Sequence, residues 1–187
     1  MKYKNNDYSM LDKSYLNAET FIKRIASGDF RSLIINGPPG IGKSVMTSKY
    51  LKKYNTKNYS VITGHMTLLS LYDALYRHRA KGQVLVLDDV DSVFAKTEGL
   101  CLLKAAMDTQ EVNRVYWASQ TNLLNAMGLP QQFVFKGAVI LITNIGFGGS
   151  RVKMQSHLTA LKDRSYVVPI TDSGCESENF KQICFMV

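Results

Sequence analysis

The chain has 187 residues, 45% of them hydrophobic and 20% charged, with 23 Lys and Arg against 15 Asp and Glu for a formal net charge of +8. That length suits one domain with its own core, and no apolar run approaches the roughly 18 residues that span a bilayer, so a membrane partner is not expected. The cysteines Cys101, Cys175 and Cys184 are odd in number and lack metal-ligand spacing, which supports neither a disulfide framework nor a zinc site.

Residues 1–16 are polar and rich in Tyr and Asn, and they read as an N-terminal arm. They lead into no signal-peptide apolar region, so a cytoplasmic location is expected. A helix is expected from Asn17, a residue suited to an N-cap, with Phe21, Ile22 and Ile25 on its apolar face and Ser27-Gly28-Asp29 as its stop. Ser32 to Asn36 is an apolar run of buried-strand length. It runs into Gly37-Pro38-Pro39-Gly40-Ile41-Gly42-Lys43-Ser44, which fits the pattern G-x-x-x-x-G-K-[ST] at every constrained position. Helical spacing follows from Val45 to Tyr54.

The glycines allow successive backbone N–H groups to turn inward around a phosphate, where a Cβ would obstruct. The positive end of the following helix adds to the attraction. Lys43 would reach the β- and γ-phosphates of ATP, Ser44 would ligate Mg²⁺, and Val45 continues the binding segment. The alternative is an ordinary Gly-rich strand-to-helix turn, and the flanking strand and helix argue against it.

Downstream, Tyr59 to Thr63 reads as a second strand, Gly64-His65-Met66 as a loop, and Leu68 to Arg79 as a helix capped by Thr67. Val84 to Leu87 is continuously apolar and ends in Asp88-Asp89, as a strand buried on both faces of a parallel sheet would. Thr97 to Asp108 has helical spacing. Arg114–Ala118 and Gln132–Lys136 are short β-like runs that pair here as an inserted hairpin, despite the long connection from Ser119 to Gln131. Ala138 to Asn144 is a further buried strand, Gly146 to Ser150 a loop, His157 to Leu161 a short helix and Tyr166 to Ile170 a last strand. A weakly patterned tail covers 171–187.

Strands alternating with helices, a P-loop after the first strand and paired carboxylates after a later one imply a three-layer α/β domain with a parallel sheet over residues 17–170. Phosphoryl transfer needs a carboxylate-bearing strand beside the P-loop, because the protein mainly positions water and neutralises charge. Asp88 suits the metal role and Asp89 that of a general base or water-orienting group, against a reading of Asp89 as a capping aspartate. Asp91 is as compatible with a cap. Asn144 ends a strand expected between those two, where a neutral amide can bond both the γ-phosphate and the attacking water, against a reading of Asn144 as a simple turn-forming residue. Arg164 is either a structural surface arginine or, in a ring, an arginine finger aimed at a neighbour's γ-phosphate, with Arg151 as its rival.

Taken together, Gly37 to Ser44, Asp88-Asp89, Ile142-Thr143-Asn144 and Ala160-Leu161-Lys162-Asp163-Arg164 resemble the core of AAA+ ATPases, in the family's order of Walker A, Walker B, sensor-1 and arginine-finger positions. Ile62 to Thr67 and Val84 to Phe94 look more narrowly like the small AAA-type ATPases of tailed bacteriophages. The resemblance implies strand order 5-1-4-3-2, ATP hydrolysis at subunit interfaces, assembly into a ring with a hexamer favoured, and host cytoplasm as the location if the chain is phage-encoded. The loop Gly64-His65-Met66 falls where related motors place a pore loop, although an ordinary loop is the favoured reading of His65 and Met66. Two features depart from the family: Asp89 stands where Glu is usual, and the 17 residues after Ile170 hold no arginine and no obvious C-terminal helical lid.

Three functions follow as expectations. The first is an ATP-hydrolysing motor or remodelling ATPase acting in DNA metabolism, favoured by the positive charge and the phage resemblance. The second is an ATP-dependent binding switch, of helicase-loader kind, with little turnover, favoured by Asp89 and the missing lid. The third is protein remodelling without nucleic acid.

Overall fold

The computed structural model describes residues 9–54, 58–94, 96–118, 122–144 and 159–170. Five parallel strands form its centre: β1 (Ser32–Asn36), β2 (Tyr59–Thr63), β3 (Val84–Asp88), β6 (Ala138–Thr143) and β7 (Tyr166–Pro169). They lie in the order β2-β3-β6-β1-β7. With the two hairpin strands, β4 (Asn113–Tyr116) and β5 (Gln132–Phe135), left out of the count, this is the order 5-1-4-3-2 read from the β7 edge.

The central strands are apolar throughout because both of their faces are covered. Successive side chains alternate between the faces. Leu33, Ile35, Val84, Val86, Ile140 and Ile142 pack on one side with helices α1 (Ser9–Ser27) and α2 (Lys43–Lys53). Ile34, Leu85, Leu87, Val139 and Leu141 pack on the other with α3 (Leu68–Arg77), α4 (Asp91–Phe94) and α5 (Thr97–Ala106). The result is the expected three-layer α/β arrangement.

Helix α1 differs from its expected extent. It begins at Ser9, and Asn17 sits exposed within it instead of capping it. The reason is packing: Tyr15 and Ala18 extend the buried stripe of Ile22 and Ile25 by two turns upstream, and burial of that stripe outweighs the capping preference of one residue. Residues 9–16 are therefore helix and not arm. The stop is where the sequence places it, with Gly28 at φ 82° and the Gly28 N–H donating to Ile25 O at 3.0 Å.

The hairpin forms with Arg114 opposite Val134 and Val115 opposite Phe133. Its long connection carries a short helix, α6 (Asn122–Ala126), whose Leu124 is buried together with Leu129 just beyond it. Those two leucines tie down a segment that would otherwise be long for a hairpin loop. Tyr72 and Tyr76 on α3 meet Phe133 edge-on at 5.1 and 5.4 Å between ring centres, which seats the hairpin on the α3 side of the sheet. The expected loop at 146–150, the start of the short helix at 157 and the tail lie outside the described residues.

Candidate functional site

Parallel register gathers the ends of three strands at one edge. Asn36 of β1 stands opposite Thr143 of β6, and Asp88 of β3 opposite Ile142. Gly37, Asp89 and Asn144 therefore leave the sheet side by side. Backbone bonds hold them there: the Gly37 N–H donates to Thr143 O at 3.3 Å, the Asp89 N–H to Ile142 O at 3.0 Å and the Ile170 N–H to Asn36 O at 2.6 Å. Gly37 has to be glycine on steric grounds, since a Cβ there would lie 2.4 Å from Ile170 O.

Beyond Gly37 the chain turns through Pro38 to Gly42 into α2, with Gly40 at φ 80° and Gly42 at φ 77°. Both values fall in the left-handed region that glycine enters without a Cβ penalty. Helix α2 opens with no side-chain cap and no acidic residue in its first turn. Its leading N–H groups, carrying the positive end of the helix dipole, are thus available to an anion.

Lys43 is buried beneath this loop at 5% exposure. Its ammonium donates to Gly37 O at 2.9 Å, to Pro38 O at 2.7 Å and to Asn144 Oδ1 at 2.7 Å. Burial lowers its pKa from the ordinary lysine value, and the nearby Asp89 and Asp88 carboxylates act in the opposite direction. The Asn144 amide then passes the contact on, its Nδ2 donating to Asp89 Oδ1 at 2.8 Å. The two neighbours set the amide's orientation, because an ammonium can only donate and a carboxylate only accept. Lys43, Asn144 and Asp89 form one continuous polar chain across the edge.

Asp89 is exposed and takes φ 51°, the one positive φ outside glycine among the described residues. Aspartate tolerates that region better than most residues, at a cost on the order of 1 kcal/mol. The turn directs Asp89 toward Asn144 and away from the sheet. Asp88, by contrast, is buried at 6% exposure, and its Oδ1 has no hydrogen-bond partner among the described residues. A buried carboxylate oxygen left in that condition suits a cation ligand. Ser44, half-buried in the first turn of α2, supplies a hydroxyl to the same edge. This donor set fits Mg²⁺, a hard cation that takes a few protein oxygens and completes its shell with water and phosphate.

Other expected residues fall elsewhere. Val45 projects from the first turn of α2 at 58% exposure. The Arg164 carbonyl accepts from Ser32 Oγ at 2.6 Å, at the start of β1, which at strand rise puts it about 13 Å from the phosphate loop. Its guanidinium donates to Ala160 O at 2.8 Å and lies 3.6 Å from Asp108 Oδ1. Arg164 and the phosphate loop are thus not brought together within one chain. Arg151 lies outside the described residues. Of the suggested pore-loop pair, His65 is exposed but Met66 is buried at 7%, its backbone N–H and carbonyl both bonded to Ser92 Oγ. Met66 is therefore a core residue and not a pore residue.

Sequence reasoning missed Tyr15, because residues 1–16 read as an arm. Its buried hydroxyl donates to Ile41 O at 2.8 Å, within the phosphate loop. The signal was present in the spacing Tyr15, Ala18, Ile22, Ile25, which continues the helical stripe upstream.

No protein-family model matches the chain. It is 39% identical over 147 residues to a protein of Enterobacteria phage T4 described as an uncharacterized 36.7 kDa protein in the nrdC-mobD intergenic region, a match that takes in 75% of this chain and 45% of that one. Among solved structures it is similar to NtrX from Brucella abortus in complex with ADP, with TM-score 0.55 and 15% identity over 98% of this chain and 40% of the other. It is likewise similar to the Thermotoga maritima RuvB Holliday junction branch migration motor, with TM-score 0.51 and 15% identity over 95% of this chain and 49% of that one. The chain spans less than half the length of each of these proteins. The two solved neighbours are AAA+ ATPases, and at such identities they show the fold: a P-loop ATPase fold of the AAA+ type.

Proposed function

We propose that this chain, which has the AAA+ fold, binds ATP with Mg²⁺ at the carboxyl edge of its sheet and hydrolyses it to ADP and phosphate. The observation that carries the reading is the chain of contacts from Lys43 through Asn144 to Asp89 beside a loop that fits the P-loop pattern at every fixed position. In this reading the N–H groups from Gly37 to Val45 cradle the phosphates, and Lys43 exchanges its contacts with Gly37 O and Pro38 O for phosphate oxygens. Ser44 and Asp88 hold the metal, whose charge offsets that of the triphosphate. Asp89 orients or deprotonates the attacking water, with Asn144 between it and the γ-phosphate. Arg164 completes the site only across a subunit boundary, as an arginine finger in a ring, with a hexamer favoured by the family resemblance.

Action on DNA is the favoured use of this activity. The net charge of +8 supports it, as do the likeness to a RuvB branch migration motor and the phage relative. The second reading, a nucleotide-dependent switch with slow turnover, is favoured by Asp89 itself. Its side chain is one methylene shorter than the family's usual Glu and is already engaged by Asn144. Steady-state ATP hydrolysis of wild type, Lys43→Ala and Asp89→Asn, with and without DNA and with light scattering for assembly, separates the two. The motor reading expects DNA-stimulated turnover by an assembled wild type, lost by about 100-fold or more in both variants. Tight ATP binding without turnover selects the switch, and absence of ATP binding overturns both.

A further inference from the structure

We infer that Tyr15, on helix α1 and outside every nucleotide-binding motif in the chain, is a positioning residue that presets the phosphate loop. The inference rests on the proposed nucleotide site and deepens it. Three observations carry it. The Tyr15 hydroxyl donates to the carbonyl of Ile41 at 2.8 Å, although 26 residues separate them. Tyr15 and Ile41 are both buried, at 7% and 1% exposure, in the same apolar cluster as Ala18, Ile22 and Met46. The peptide that follows Ile41 leads into Gly42 at φ 77°, the residue before Lys43.

The consequence comes from peptide geometry. The C=O and N–H of one trans peptide point in opposite directions, and no cis peptide is found among the described residues. Holding the Ile41 carbonyl toward α1 therefore turns the Gly42 N–H away from α1, to the concave side of the loop where a phosphate oxygen would sit. A glycine-rich loop can flip such a peptide at little steric cost, so the bond to Tyr15 replaces the conformational restriction that the glycine does not provide. A donor that stays in place before the ligand arrives removes an ordering cost from binding.

Tyr15 suits the task chemically. Burial pushes its hydroxyl up to about 12, with Tyr50 adding to the effect, so it stays a neutral donor through the physiological range. Helix α1 is also fastened to the far end of α2, where Glu19 accepts from Lys53 at 2.5 Å and from the Tyr54 hydroxyl at 2.7 Å. The loop is thus held against a helix that is itself tied to the far end of α2.

The test is Tyr15→Phe, which keeps the ring and its packing and removes only the donor. Affinity for ADP and for inorganic pyrophosphate is measured by calorimetry well below the melting temperature, with Ile22→Ala on the same buried face as the packing control. The expected result is a loss of roughly fivefold for both ligands in Tyr15→Phe, the size of one net hydrogen bond. Ile22→Ala is expected to melt lower yet keep both affinities. Unchanged affinities in Tyr15→Phe would overturn the assignment. So would a loss for ADP alone, since that places the effect at the base or sugar. Wild type binding neither ligand, with Lys43→Ala indistinguishable from it, would remove the nucleotide reading and this one with it.

Discussion

The two faces of the sheet are built to different ends. On one, α1 and α2 close over an aliphatic core, and the phosphate loop is held within it by Tyr15, by Ile170 behind Gly37 and by the burial of Ile41. On the other, α3, α5 and the inserted hairpin enclose an aromatic-rich core and leave apolar side chains in the open. Leu123 is 59% exposed, and Tyr116, 56% exposed, lines a groove of about 520 Å³ together with Leu102, Ala105 and Trp117. The first face fixes geometry at the edge. The second contributes stability and surface, and its buried cluster includes no residue of the phosphate loop.

Substitutions can break or sharpen this division. Phe135→Ala empties a fully buried site on the hairpin face, and a loss of about 3–5 kcal/mol is expected in urea unfolding. ADP affinity of the folded protein should be unchanged, and its loss would show that the two faces are coupled. Lys43→Ala is the converse. It removes the buried cation of the edge and should weaken ADP binding by about 100-fold, or near 2.7 kcal/mol, by titration, while the melting temperature holds or rises because a desolvated charge is gone.

Gly37→Ala tests the seam between loop and sheet. The new Cβ meets Ile170 O, so a destabilisation of about 1–3 kcal/mol is expected together with weaker ADP binding. A purely structural seam would show the first effect without the second.

The smallest effect is expected at Glu19→Gln. The Glu19 carboxyl is held below its ordinary value by hydrogen bonds from Lys53 and then from Tyr54. A depressed carboxylate contributes stability above its unfolded value and loses that contribution as pH falls through the folded one. For so exposed a pair the difference from wild type should be about 1–2 °C in melting at pH 7. It should close in acid, below both values. A gap that persisted there would mean that Glu19 acts by packing and not by charge.

The contrast between the faces also marks where sequence reading succeeds. The strand-loop-helix unit around Gly37 to Ser44, the Asp88-Asp89 pair and the strand ending in Asn144 were legible because each is local: spacing along a few residues encodes backbone conformation or strand burial. The hairpin was legible for the same reason, from two short runs with strand composition. The true start of α1 was not, since Asn17 carries a good local signal for a cap and only the packing of Tyr15 shows that the helix runs past it. Helix α6 was likewise hidden, as Leu124 and Leu129 gain their role only from the core they enter. The loop at Met66 was legible but its burial was not, because nothing near it in sequence indicates Ser92, its partner 26 residues on.

By itself, then, the sequence determined which residues can turn a backbone around phosphate, which strands must be buried on both faces and which carboxylates end them. These are properties of short segments and follow from sterics and periodicity. Tertiary structure alone decided that Asn144 links Lys43 to Asp89, that Arg164 stands at the far edge from the loop, and that a tyrosine from the first helix holds the Ile41 carbonyl. Each of these joins groups far apart in the chain, and their meeting depends on strand order and helix packing, which no local pattern specifies.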